Sequence, residues 1–503
     1  MDLSEVSIDY KNFNNFLYKF LSVNILFNFF FFYAEVNIYT SLIFYSFSIL
    51  ISLIFFSKIY KNYTFCFFAQ ILILFFLNLT YLNFILSVII NNIFLKNDFN
   101  TLIKFNFYCD LKTYFFANTY LCLFLFMINY FNSFIKFDLI KKLVDKIKSQ
   151  NLRVDKKKNF RLIIICLIVE FIYFFSGTLG SQVSGAFILG DKNDSATWFT
   201  HFYYFLVTFH LLLNLLYIKN KNKSFFDKTF LIFSFLANFI FYGFFMRRMA
   251  VQFMFLAIIT FFMLSEVKIR KIRFFIINIL LISLLFQFTN FLQLIRVSEL
   301  YSVGKSQNLK EIVLEGKFFD YFTNQDMRKT AQEISIKNFS KRLLNNHELA
   351  TIFFYEKNSK KKYLNGELLK NNIIESIPQI IFPSKINYLT SDKLISSITN
   401  SPLYDMDTVD SFHSYSYIDF GFFGLVIYPA LIVLMLLFFY YLMNINYLNS
   451  ITVILVLILF LPMYSLRITE ISISDWFVII RNIILFILIF NFLLKSNYNK
   501  FIK

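Results

Sequence analysis

Glycine and proline are scarce in this chain, ten and five among 503 residues, and cysteine and histidine number four each. So few helix breakers leave little material for unwound helices, the device from which many transporters build their substrate sites. Cys66, Cys122 and Cys166 fall inside apolar runs, and Cys109 stands in a polar stretch without an evident partner. No Cys-x-x-Cys and no Cys/His cluster occurs, so a disulfide scaffold is excluded, no metal site has support and no cofactor is implied. Charge is scarce too, at 16% of residues.

Apolar residues are abundant. They make up 58% of the chain, and the mean hydropathy is +0.60. A soluble protein of this size could not hide that much apolar surface. Uninterrupted apolar runs of about 17–25 residues, the length that spans the hydrocarbon of a bilayer, recur along the sequence. They lie near 14–33, 38–57, 64–84, 113–134, 160–180, 197–217, 229–245, 249–265, 274–292, 418–443, 450–466 and 477–494. The pattern predicts an all-α polytopic membrane protein of about twelve transmembrane helices. The stretch 84–95 reads either as an extension of the third span or as an interfacial helix. The acidic start MDLSEVSIDYKNF lacks a small-residue cleavage site, so the first run reads as an uncleaved span.

Alternate connections are basic. Residues 135–161 hold ten Lys/Arg against three Asp, and 219–228, 266–273 and 495–503 are each net +3. The positive-inside rule puts these segments, and both termini, in the cytoplasm. They account for most of the formal +18, which therefore reads as a topology signal and not as a nucleic-acid footprint. One connection, 293–417, is long, polar and nearly charge-balanced. It is expected outside the cytoplasm, packed on the bundle as a cap, and it divides the chain into 1–292, 293–417 and 418–503.

Several charges sit where the topology does not ask for them. Arg247 and Arg248 occupy a tight hairpin on the expected outer side, Arg481 lies inside the last span, Arg467 flanks the turn before it, and Arg296 opens the long loop. Two readings stand for the hairpin pair: both side chains snorkel to the headgroups, or they bind an anionic headgroup, for which the planar guanidinium fork suits phosphate oxygens. Arg481 reads either as such a ligand or as half of a structural ion pair with Glu170. His201 and His210 share one span and read as core histidines, and His347 as a solvated loop residue. Asp405 and Asp407 form an Asp-x-Asp, a three-letter match too common to imply a metal.

The segment 363–424 carries a family pattern. It contains Ile377, Pro378, Pro383 and Lys385, followed by Tyr417, Asp419, Phe420, Gly421 and Gly424 at the opening of a span. This resembles the Wzy-type O-antigen polysaccharide polymerases, which also carry an arginine in a mid-chain turn, as at Arg247 and Arg248 here. Two positions depart from that pattern: the glycine expected beside the mid-chain arginine stands at Gly243, and Phe382 replaces a tryptophan. The resemblance implies a bacterial inner-membrane glycosyltransferase, GT-C-like in plan. It would move a glycan from undecaprenyl diphosphate onto the next lipid-linked repeat unit, with membrane lipid around it and a chain-length regulator protein as a further partner. Arg247, Arg248, Arg296, Lys385, Arg467 and Arg481 would then hold the diphosphate. Asp410 and His413, three apart at the loop–membrane junction, read as the group that takes the acceptor proton or as an ordinary polar rim. An O-antigen ligase shares these features. A lipid-linked oligosaccharide flippase or transporter should show repeats and broken helices, which this chain lacks.

Overall fold

The computed structural model describes residues 3–34, 36–59, 68–94, 109–136, 156–175, 224–246, 346–355, 363–377 and 411–444, with short pieces within 206–217, 323–333 and 381–395 and a few isolated residues. Every regular element among them is helical. In order they are α1 (Leu3–Ala34), α2 (Ile38–Ile59), α3 (Phe68–Ile89), α4 (Leu111–Asn132), α5 (Lys156–Phe175), α6 (Phe225–Met246), α7 (His347–Tyr355), α8 (Glu367–Ser376), α9 (Phe412–Phe420) and α10 (Gly424–Asn444). Among the described residues, five helical stretches are long and apolar enough to cross a membrane: Tyr10–Ala34, Ile38–Phe55, Ile73–Asn92, Leu111–Asn132 and Phe412–Asn444. These overlap five of the spans expected from sequence, the third displaced from 64–84 by eight or nine residues. The stretch 84–95 continues the third of them, since α3 runs to Ile89 and a π-helical turn, Ile90–Phe94, prolongs it.

The chain divides into two compact units. One comprises Met1–Ile147, Phe339–Leu448 and Tyr464–Leu485, and the other Lys148–Asn338, Asn449–Met463 and Phe486–Lys503. The division after Asn338 falls inside the segment 293–417, so α7 and α8 belong with α1–α4, and residues 323–333 with α5 and α6.

The first unit mixes polar side chains into its interior and turns large apolar ones outward, most plainly on α2. On α2 the buried positions are Ile38, Ser41, Tyr45, Ser48 and Ser52, spaced by threes and fours, whereas Tyr39, Ile43, Phe47, Leu50 and Leu53 are exposed. Large apolar groups facing outward suit hydrocarbon as the solvent, and small polar groups facing inward let helices approach and hydrogen-bond. Helix α1 carries a buried heptad stripe, Tyr10, Asn14, Leu17, Leu21, Asn24, Asn28 and Phe31, and packs along α4. A one-way chain of donors ties these helices together. Asn346 donates to Asn118 (2.6 Å), Asn118 to Tyr45 (2.9 Å), Tyr45 to Asn28 (2.7 Å), Asn28 to Tyr81 (3.0 Å) and Tyr81 to Asn24 (2.8 Å).

Helix α4 is the centre of this unit. Asp110 caps its start in a reciprocal box with Thr113, and thirteen of its side chains are buried, on all faces and not along one stripe. Burial and the Asp110 carboxylate push the Cys109 thiol up, which keeps it protonated and inert.

Candidate functional site

The site is built where α7 and α9 pack on α4 and α8 docks on α9. The sequence reading opens a span near residue 418, but the 33-residue apolar stretch is not one helix. Helix α9 ends at Gly421, whose φ of 59° is open to glycine and costly for other residues. A 3₁₀ turn, Gly421–Phe423, follows before α10 begins. The two helices then pack so closely that a Cβ on Gly424 would collide with the backbone of Ser416, and one on Gly421 with the ring of Tyr363. With 21 residues, α10 alone is about 31 Å long, enough to cross.

Helix α9 therefore folds back along α4. Phe422 packs against Phe116 and Tyr417 against Tyr120. The Tyr120 hydroxyl bonds Ser416 Oγ (2.9 Å) and donates to the Gly421 carbonyl (3.1 Å). His413 lies beside Phe124, ring centroids 6.3 Å apart. Phe124 is thirteen residues into α4, about 20 Å from its Leu111 end, so α9 starts well inside the bundle. All residues from Ser411 to Asp419 are buried.

A carboxylate holds the long polar segment to this corner. Helix α8 starts after Asn365 and Gly366, both at positive φ, and its N-cap glycine has no side chain to satisfy the first N–H groups. Asp419 supplies the acceptor from α9. Its Oδ1 accepts from the N–H of Gly366 (3.1 Å) and Leu368 (3.0 Å), and its Oδ2 from the N–H of Leu369 (2.9 Å) and the Tyr428 hydroxyl (2.9 Å). Two main-chain bonds complete the docking, Leu364 N–H to the Ile418 carbonyl (3.0 Å) and Asn365 N–H to that of Asp419 (2.7 Å). Helix α7 is seated alongside, with Phe353 4.5 Å from the rings of both Phe116 and Tyr417.

Of the residues that the sequence offered for taking the acceptor proton or holding the diphosphate, His413 is the one described. It is fully buried as the second residue of α9, after the N-cap Ser411, whose hydroxyl accepts from Ser414 N–H. Neither of its ring nitrogens has a hydrogen-bond partner among the described residues. Asp410, Arg247, Arg248, Arg296, Lys385, Arg467 and Arg481 lie outside the described residues. His347 is not a solvated loop residue: it opens α7 and is 5% exposed, because α7 is pressed onto α4. Glu170, read from sequence as a partner for Arg481, has both carboxylate oxygens 2.9 Å from His210 Nδ1. The role of Asp419 was missed at the level of sequence, although the Asn365-Gly366 dipeptide marks the turn it caps. Comparison with family models, with curated proteins and with solved structures finds no match to this chain.

Proposed function

We propose that the chain is a polymerase of lipid-linked oligosaccharide repeat units, working on the outer face of a bacterial inner membrane with twelve spans and both termini in the cytoplasm. The reading rests on the resemblance of residues 363–424 to Wzy-type polymerases. One observation supports it: three of the residues that carry the resemblance, Asp419, Gly421 and Gly424, form a tight construction that folds α9 into the bundle and docks the stretch 364–369 of the polar segment on it. That construction buries an imidazole, His413, without a described partner. A buried polar group left unsatisfied costs about 1–3 kcal/mol, a cost that a substrate hydroxyl would relieve.

In the proposed reaction an acceptor sugar hydroxyl attacks the anomeric carbon of the growing chain. The bond from that carbon to the diphosphate breaks, and the electron pair leaves on undecaprenyl diphosphate. The hydroxyl proton passes to His413, or to Asp410 three residues before it. Arg247, Arg248, Arg296, Lys385, Arg467 and Arg481 are the candidates for stabilising the departing diphosphate, whose charge grows toward the transition state.

The test is to incubate the purified full chain with one synthetic lipid-linked repeat unit. A ladder of products is expected. Unchanged single units would overturn the reading, and transfer only to an added non-polyprenyl acceptor would make the chain a ligase.

A further inference from the structure

The second unit buries a polar cluster that glycosyl transfer does not use. Glu170 on α5, His210 and Asn214 in the helical segment 209–215, and Ser234 on α6 have no exposed surface. His210 Nδ1 lies 2.9 Å from both oxygens of Glu170, and its Nε2 lies 2.7 Å from Ser234 Oγ. Ser234 Oγ is in turn 2.7 Å from the Asn214 side-chain oxygen. The Asn214 amide nitrogen has no partner among the described residues.

These atoms accept two complete proton arrangements. In the first, Ser234 donates to the Asn214 oxygen, so its own oxygen receives the Nε2–H of His210. With Nδ1–H turned to Glu170, the imidazole carries both protons and the pair is neutral overall. In the second, a half-turn of the Asn214 amide brings its NH₂ to Ser234, a rotation that exchanges a donor for an acceptor without moving the frame. Ser234 then donates to a bare Nε2, while Nδ1–H stays on Glu170. Glu170–His210, His210–Ser234 and Ser234–Asn214 remain bonded in both, and the two arrangements differ by one proton.

We infer that Glu170 and His210 form a proton-binding site, with Ser234 and Asn214 as the reversible pair that satisfies it loaded and empty. A static ion pair needs only the first arrangement. On release the Nε2–H bond breaks, the electron pair stays on nitrogen, and the proton leaves on water; uptake is the reverse, and nothing is oxidised or reduced. Buried ionisable groups in membrane helices commonly mark such proton sites, and histidine is suited to exchange near neutral pH. Among the described residues, Cys166, one turn before Glu170, is the other titratable group beside the pair. Arg161, Asp227 and Lys228 stand about two turns or more away along their helices, and Asp227 is bonded to Tyr217 (2.6 Å) and Ser224. Ser234 is fully buried, and a nucleophile needs a substrate beside it.

The experiment is nitrogen NMR on the full chain in lipid nanodiscs, labelled at its four histidines, with the His210 signal identified by its loss in His210→Gln. In a pH series from about 5 to 8, Nε2 of His210 should be seen both protonated and bare, while Nδ1 stays protonated. Glu170→Gln removes the negative charge that holds the second proton. It should lower proton affinity by more than about tenfold, one pH unit, and remove the doubly protonated form near neutrality. A single protonation state of wild-type His210 across that range overturns the inference, as does a titration unmoved by Glu170→Gln. The wild-type titration decides alone if the variant does not fold.

Discussion

Asp419 and Tyr428 stand on opposite sides of the Gly421 corner, and the tyrosine hydroxyl closes on the carboxylate at 2.9 Å. The same carboxylate holds three N–H groups of the chain around Gly366, some fifty residues earlier. All four partners are donors. An amide in place of the acid would turn an NH₂ toward one side of that set, so Asp419→Asn should be nearly as damaging as Asp419→Ala. A loss of about 2–4 kcal/mol is expected, against about 1 kcal/mol for Tyr428→Phe. Thermal unfolding in detergent measures it, and an Asn variant that melts with the wild type would mean that the acid is not the cap.

Gly421 and Gly424 should respond differently to alanine. At Gly424 the added Cβ meets backbone, which has no way to rotate aside, whereas at Gly421 it meets the side chain of Tyr363. Each substitution should cost about 1–3 kcal/mol. Adding Tyr363→Ala should recover part of the loss at Gly421, leaving the cost of its positive φ, and none at Gly424. Equal recovery at both positions would contradict the geometry of the corner.

Replacing His413 should separate folding from activity. With no described partner to strand, His413→Leu removes an unsatisfied buried group and should leave the melting temperature unchanged or raised. If the imidazole takes the acceptor proton, transfer should fall about 10²–10⁴-fold. Wild-type transfer by this variant, at matched membrane levels, rules the role out.

Lysine at Arg247 or Arg248 tests how the diphosphate is held. Snorkelling tolerates Lys, but two parallel N–H donors do not survive the change. Arg248→Lys should lose about 1.5–3 kcal/mol of a charge-assisted contact, roughly ten- to a hundredfold in single-turnover transfer. If both lysine variants run at the wild-type rate, the anion site belongs elsewhere, with Arg296, Arg467 and Arg481 the next residues to substitute.

Reporter fusions test the orientation drawn from the basic loops. Residue 150 and the C-terminus should report from the cytoplasm and residue 350 from outside. Phosphatase activity at 150, or none at 350, reverses the topology.

The helices were legible because apolar length is a local property. The runs near 14–33, 38–57 and 113–134 reappear as α1, α2 and α4 with ends shifted by a few residues, apart from an eleven-residue extension at the start of α1. The break at Gly421 was not legible, since a run of apolar residues has the same hydropathy straight or folded. The glycines at 421 and 424 were noticed as a motif, but the collisions that require them involve Tyr363 and Ser416, which sequence does not place. His347 was misread for the same reason: a polar neighbourhood in sequence says nothing of the helix it will lie against. Glu170 was recognised as a charge in need of a partner, and among the described residues it is His210, forty residues on, that meets it.

The serine and tyrosine stripe on α2 bears on any attempt to remake this protein for water. Exchanging Ile43, Phe47 and Leu50 for charged residues would dissolve the outside readily, since they touch little within the unit. What remained on the inner face of α2 would be mostly hydroxyls, whose bonds to the buried amides are strong only while no water competes for them. A detergent-free analogue would have to be given a greasy centre that the natural chain does not possess along this helix, and in gaining it would lose the donor chain from Asn346 to Asn24 that sets the helices in register.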